Sequence, residues 1–270
     1  MGNEWILICF ASCSVLAAGL VSAAALGEAR GYAWKRNCLL ACLSLVLIAC
    51  GGAAAMVSLG HPQLVLGALH NPGSGIFWEL LAASAAAVCC GGYLAASWFA
   101  WNETACKALV FAASGFAFIL LAGIGKSFYM PWRDALNTMT LLLVFPGWGL
   151  AAAALCAAGF ETAEGQSRGG AELGALVLGI VLVAVYPAAL LLGSAAAQDE
   201  IMHCISGEFA GVFWFATVGC GLLVPVALML VGANRLWAAV TGLFFLAVGT
   251  ASFQWLVIKI GTANWQFFQH

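Results

Sequence analysis

Eight apolar runs, each about 20 residues or longer, constrain this chain more than any other feature. The hydrocarbon core of a bilayer is about 30 Å thick, and a helix needs about 20 apolar residues to cross it. Runs of that length lie at about 4–27, 38–59, 78–101, 107–129, 137–160, 172–197, 207–232 and 236–259 of the 270 residues. Polar segments separate them, including His61-Pro62, Asn71-Pro72-Gly73, Asn102-Glu103-Thr104, Pro131-Trp132-Arg133-Asp134 and Asn234-Arg235. Only helices and closed barrels satisfy every backbone hydrogen bond in lipid, and runs this long are helices. The pattern predicts an all-α, polytopic integral membrane bundle of about eight transmembrane helices. It forms one transmembrane domain over 1–270.

Composition removes the soluble alternatives. Charged residues make up only 7% of the chain and hydrophobic residues 64%. Soluble domains carry about 25% charged residues. The net charge of −2 offers no basic patch to nucleic acid. No loop is long enough for a soluble catalytic domain. The first charged residue is Glu4, with no Lys or Arg before the first run, so that run reads as a span and not as a secretory signal.

The basic residues suggest an orientation. Arg30, Lys35, Arg36, Lys107, Arg168 and Arg235 fall in odd-numbered loops, against Lys126, Arg133 and Lys259 in even loops and tails. The positive-inside bias puts the odd loops in the cytoplasm and both termini on the outer face. Trp5, Trp78, Trp132, Trp255 and Trp265 then sit near outer boundaries.

The 11 cysteines include no C-x-x-C pair and lie mostly within apolar runs, where they read as small packing residues. The histidines (His61, His70, His203 and His270) lie at span ends or in tails, so no axial pair for a membrane haem is evident. No haem, iron–sulfur cluster or metal is expected in this chain. Gly125-Lys126-Ser127 resembles the end of a phosphate loop, but the required first glycine falls on Leu120 inside a span.

Ionisable residues at membrane depth are costly, and each is a functional hypothesis. Ser58 and His61 close the second span, Glu79 opens the third, and Lys126, Tyr129, Trp132, Arg133 and Asp134 close the fourth. In an antiparallel bundle these ends meet at one depth on one side. A carboxylate, an imidazole, an ammonium, a phenol and an indole would then share a pocket able to bind and deprotonate a hydroxylated ring. Each residue also has a plain reading. Glu79 complements a helix dipole, His61 precedes a helix-stopping proline, Lys126 snorkels, and Tyr129 and Trp132 belong to an aromatic belt.

The same segments carry a family resemblance. Ser58-Leu59-Gly60-His61-Pro62, then Leu69-His70-Asn71 and Glu79-Leu80, resembles the His-Leu-Gly-x-Pro turn and following Ser-x-Glu of dimethyl sulfoxide reductase membrane anchor subunits. Tyr129-Met130-Pro131-Trp132 followed by Asn137-Thr138 resembles that family's Tyr…Pro-x-Trp-Asn-Thr segment. Eight spans with both ends outside suit this family and the related polysulfide reductase anchors. The family histidine aligns with Ser58, with His61 three residues on, and the family arginine falls near Leu64.

The resemblance implies a menaquinol site at the outer face of a prokaryotic cytoplasmic membrane. Glu79 and His61 would handle protons there, and Ser58, Lys126, Tyr129 and Trp132 would bind the quinol. Arg133 and Asp134 would meet a docked partner. The implied partners are a four-cluster ferredoxin-like iron–sulfur subunit and a molybdopterin catalytic subunit. Two other classes stay open. Pro146, Pro187 and Pro225 interrupt spans in the manner of a small permease, and a bare structural anchor would need no quinol site.

Overall fold

A computed structural model describes residues 4–58, 67, 70–163, 170–231 and 236–263. His61, Arg168, Arg235, Trp265 and His270 lie outside the described residues. So do the side chains of 58, 160–163 and 261–263. The chain is an all-α polytopic membrane bundle. Among the described residues, eight helices are long and apolar enough to cross a bilayer.

The spans are α1 (Glu4–Ala29), α2 (Trp34–Ser58), α3 (Gly75–Trp98), α4 (Glu103–Phe128), α5 (Leu141–Ala163) and α6 (Gly170–Leu191). A short helix α7 (Ala195–Ile205) follows. The last two spans are α8 (Val212–Val231) and α9 (Leu236–Ala263). In α8 the first stretch, Val212–Leu223, is wound as a π-helix and the rest as an α-helix.

Local chemistry explains where span ends depart from the hydropathy boundaries. The fifth span starts at Leu141 and not at 137. Thr138 and Thr140 pair through their hydroxyls at 2.9 Å, and Thr138 Oγ1 accepts from the Thr140 backbone N–H, holding a turn ahead of the helix. The sixth span stops at Leu191 and not at 197. Ser194 caps a new helix, accepting from the Ala197 N–H at 3.2 Å. The third span begins three residues earlier than its apolar run because Ser74 caps it, accepting from the Ile76 N–H.

α1 and α5 are the most enclosed spans. α1 packs against α2, α4, α5 and α9. Small residues permit this approach, as in other membrane bundles. Polar groups inside the bundle tie helix to helix. Ser44 Oγ donates to the Ala17 carbonyl at 2.8 Å, linking α2 to α1. Ser22 and Ser114 pair through their hydroxyls at 2.8 Å, linking α1 to α4. Glu28 Oε2 accepts from both Tyr93 Oη (2.9 Å) and Asn37 Nδ2 (3.0 Å), joining the ends of α1, α2 and α3.

Where α8 crosses α9, Gly221 faces Gly249. A Cβ on Gly221 would lie 2.6 Å from the Gly249 Cα and 2.9 Å from the Trp148 ring.

The two ends of the bundle differ. One end gathers the start of α1, the end of α2, the start of α3 and the ends of α4 and α9. Glu4 and Lys259 meet there at 3.1 Å, so the first and last spans finish on the same side. Exposed Trp5, Trp78 and Trp132 ring this end, and exposed Trp34, Trp98, Trp101 and Trp237 ring the other. The paired girdles mark two membrane interfaces.

α7 is amphipathic and lies outside the spans. Its buried Glu200 accepts from the Ala135 N–H at 3.1 Å, while Tyr186 Oη donates to the Ala135 carbonyl at 3.1 Å. The turn Asp134–Leu136 is thereby held on α6 and α7 through both backbone polar groups of Ala135. Glu200→Ala should lower stability by about 1–3 kcal/mol, since a buried N–H loses its partner. Thermal unfolding in detergent, beside Asp199→Ala at the exposed neighbouring position, would show the difference.

Burial, reinforced by the adjacent Glu200 charge, pushes the Cys204 thiol up to about 12. A raised pKa makes the nucleophilic thiolate rarer, to roughly one part in 10⁴ at pH 8. Native protein should therefore leave Cys204 unalkylated by iodoacetamide at pH 8, and denatured protein should not. Peptide mass mapping reads both states.

Candidate functional site

The first four spans diverge at the Glu4 end and leave a cavity of about 310 Å³. Leu7, Phe10 and Ala11 of α1 form one wall, and Gly52, Ala55 and Met56 of α2 another. Ile76, Glu79, Leu80 and Ala83 of α3 face Ile124, Ser127 and Phe128 of α4, with Met130 beyond. Small-molecule sites occupy roughly 300–1,000 Å³ and combine apolar walls with few polar groups. This cavity fits that description. Among the described residues that line it, Glu79 is the one titratable side chain.

Glu79 reaches the cavity because α3 and α4 run unusually close. A Cβ on Gly75 would fall on the Ser127 hydroxyl and within 2.6 Å of the Ser127 backbone nitrogen. A Cβ on Gly123 would lie 3.2 Å from the Glu79 backbone nitrogen. Two glycines, one on each helix, thus bring Glu79 and Ser127 to the same wall. The Ser127 hydroxyl is buried beside the Glu79 carboxyl.

The other residues singled out in the sequence divide into two groups. Lys126 stands beside the cavity and not on its lining, with its ammonium 5.9 Å from the centre of the Trp78 ring. Trp78 is fixed in turn by its indole N–H, which donates to the Pro72 carbonyl at 3.1 Å. Tyr129 ends α4, its backbone N–H donating to the Lys126 carbonyl at 3.1 Å, and its side chain is half-buried away from the lining. Trp132 points outward, 77% exposed, and does not line the cavity. Arg133 is half-buried in the turn, and exposed Asp134 accepts from the Ser194 hydroxyl at 3.1 Å. Ser58 is the last residue of α2, past the cavity residue Met56, and its side chain and His61 lie outside the described residues.

Ser127 is the polar group that sequence reasoning passed over. Its signal was present: it follows Lys126 in the last turn of α4, at the depth of Glu79. Hydropathy assigns a lone serine in a span no role. The close Gly75 approach that makes it matter is a tertiary feature.

Fold and cavity together define a multi-pass membrane protein with an apolar cavity at one end. Compared with protein-family models and with curated proteins, the chain matches none.

Proposed function

We propose that this chain is the membrane anchor and quinol-oxidising subunit of an anaerobic respiratory molybdopterin oxidoreductase. It sits in a prokaryotic cytoplasmic membrane with the Glu79 end outward. Menaquinol is the substrate. A four-cluster ferredoxin-like iron–sulfur subunit docks over the Glu79 end and feeds a molybdopterin catalytic subunit. The observation that carries this reading is the apolar cavity with a single carboxylate at its polar end. Glu79, Leu80 and Met130, from the segments resembling dimethyl sulfoxide reductase anchors, line that same cavity.

Oxidation of a hydroquinone to a quinone releases two protons and two electrons. Glu79 accepts a proton from a ring hydroxyl, a role suited to a carboxylate at an apolar wall. Ser127 donates to or accepts from the same ring oxygen. His61 is the partner expected for the second proton. Lys126 sets a positive charge beside the site. Both electrons leave to the docked subunit. Arg133 and Asp134, on the turn past α4, are the residues assigned to docking.

Fluorescence quenching of a hydroxyquinoline-N-oxide inhibitor tests the reading. Wild-type membranes should quench with one inhibitor per chain. Ala83→Trp, which fills the cavity from α3, should abolish it. Absence of quenching in the wild type would sink the proposal.

A second reading, a small permease, draws on a different observation. Trp148 Nε1, Thr217 Oγ1 and both amide atoms of Gln254 are buried in the span interior without hydrogen-bond partners, beside the π-wound stretch of α8. Intramembrane polar groups and π-helices both mark substrate paths in other proteins. Under the quinol reading Gln254→Leu should leave inhibitor binding intact. It should also raise thermal stability, because an apolar side chain replaces an unpaired amide. Loss of a transport activity in that variant would favour the permease.

A further inference from the structure

The opposite end of the bundle carries a second cavity, of about 340 Å³. It opens between α4 and α6, which flank the packed pair α1 and α5. Its floor is made of alanines, among them Ala25, Ala154 and Ala157, and its sides include Phe111, Phe118 and Ala175. Phe111 is exposed at the rim, so the cleft faces the lipid. One ion pair closes it toward the aqueous side. Arg30 Nη2, from the end of α1, donates to Glu172 Oε1 of α6 at 2.8 Å. The two side chains differ in exposure: Arg30 is 33% exposed and Glu172 3%. Glu172 Oε2 is buried and has no hydrogen-bond partner.

This arrangement asks for an occupant with three parts. An apolar chain must fill the alanine-floored cleft. An anionic group is favoured beside the Arg30 side chain, which is a third exposed and whose guanidinium matches phosphate geometry. An N–H donor must reach the unpaired carboxylate oxygen. We propose that the cleft binds an aminophospholipid of the phosphatidylethanolamine type in the leaflet at the Arg30 end. One acyl chain lies between α4 and α6, the phosphate contacts Arg30, and the primary ammonium donates to Glu172 Oε2. The choice among phospholipids follows from the charges. Phosphatidylglycerol brings an anion but no cation for the carboxylate. Phosphatidylcholine brings a cation with no N–H to donate. A zwitterion with an ammonium matches an Arg–Glu pair on both sides. This inference does not depend on what the Glu79 cavity binds.

Native mass spectrometry of the purified, delipidated chain tests it. The protein would be titrated separately with phosphatidylethanolamine, phosphatidylcholine and phosphatidylglycerol of identical acyl chains. Wild type should retain phosphatidylethanolamine roughly tenfold more tightly than either other lipid, the size expected of one charge-assisted hydrogen bond. Glu172→Gln keeps the shape and one acceptor but removes the charge, and the preference should collapse toward unity. Ala175→Phe narrows the cleft and should weaken all three lipids at this site, with the melting temperature showing that the variant is folded. Soluble phosphoethanolamine, lacking acyl chains, should not displace the lipid at equal concentration. Equal retention of the three lipids by the wild type would overturn the proposal. So would a preference unchanged in Glu172→Gln, or displacement by soluble phosphoethanolamine.

Discussion

Glu79→Gln should lower quinol oxidation by about 10²- to 10⁴-fold, the range of a lost general base. Glutamine keeps the size and hydrogen-bonding reach of the side chain, so the cavity walls stay in place. What disappears is the ability to hold a proton taken from the ring. Turnover would be followed in membranes holding the complete complex, with a reduced quinol analogue as donor. The comparison with inhibitor quenching separates two roles. If Glu79→Gln loses turnover and retains quenching, Glu79 acts on the proton and not on binding. If both are lost, it also anchors the ring. If both survive, Glu79 is a structural carboxylate in the second turn of α3. The Lys126 ammonium, close to Trp78 and outside the lining, predicts a smaller effect for Lys126→Met.

Gly249→Val should be the most damaging single substitution outside the cavity. The Gly249 position faces the Gly221 backbone, so any Cβ there meets main-chain atoms that cannot rotate away. Overpacking a core typically costs about 1–3 kcal/mol when side chains can adjust. Here the helices themselves must separate, and about 3 kcal/mol or more is expected. The α8–α9 pair would part, and Trp148, which packs against Gly221, would lose its wall. Gly249→Ala should show a milder form of the same defect. Monodispersity in size-exclusion chromatography and the melting temperature in detergent would rank the three proteins. Gly115→Ala, where nothing lies near the added carbon, is the matched control.

The eight spans were legible because bilayer thickness acts on residues one run at a time. Glu79 was legible for a related reason, as a carboxylate within the first turns of an apolar helix. Other features depend on who meets whom. Glu172 and Glu200 read as ordinary charges at the start of a span and in a loop. In the fold one is buried on Arg30 and the other on the Ala135 backbone. α7 escaped because its 11 residues, Ala195–Ile205, are too few and too polar for a span. The π winding of α8 leaves no trace in hydropathy, since it changes how the backbone bonds and not which residues are apolar. Trp132 illustrates the converse. Its place in an aromatic motif suggested a pocket wall, yet the turn held by Tyr186 and Glu200 leaves the indole on the surface.

The position of α1 in the bundle bears on how the protein is made. The ribosome delivers this helix before the other spans described, yet two of its neighbours, α5 and α9, are delivered much later. Until then its serine- and alanine-bearing face waits in the translocon or in lipid without its final contacts. The Glu4–Lys259 pair can form only after the last span has entered the membrane. A nascent chain stalled before α9 should therefore be inserted but unfinished, with Glu4 still waiting for Lys259.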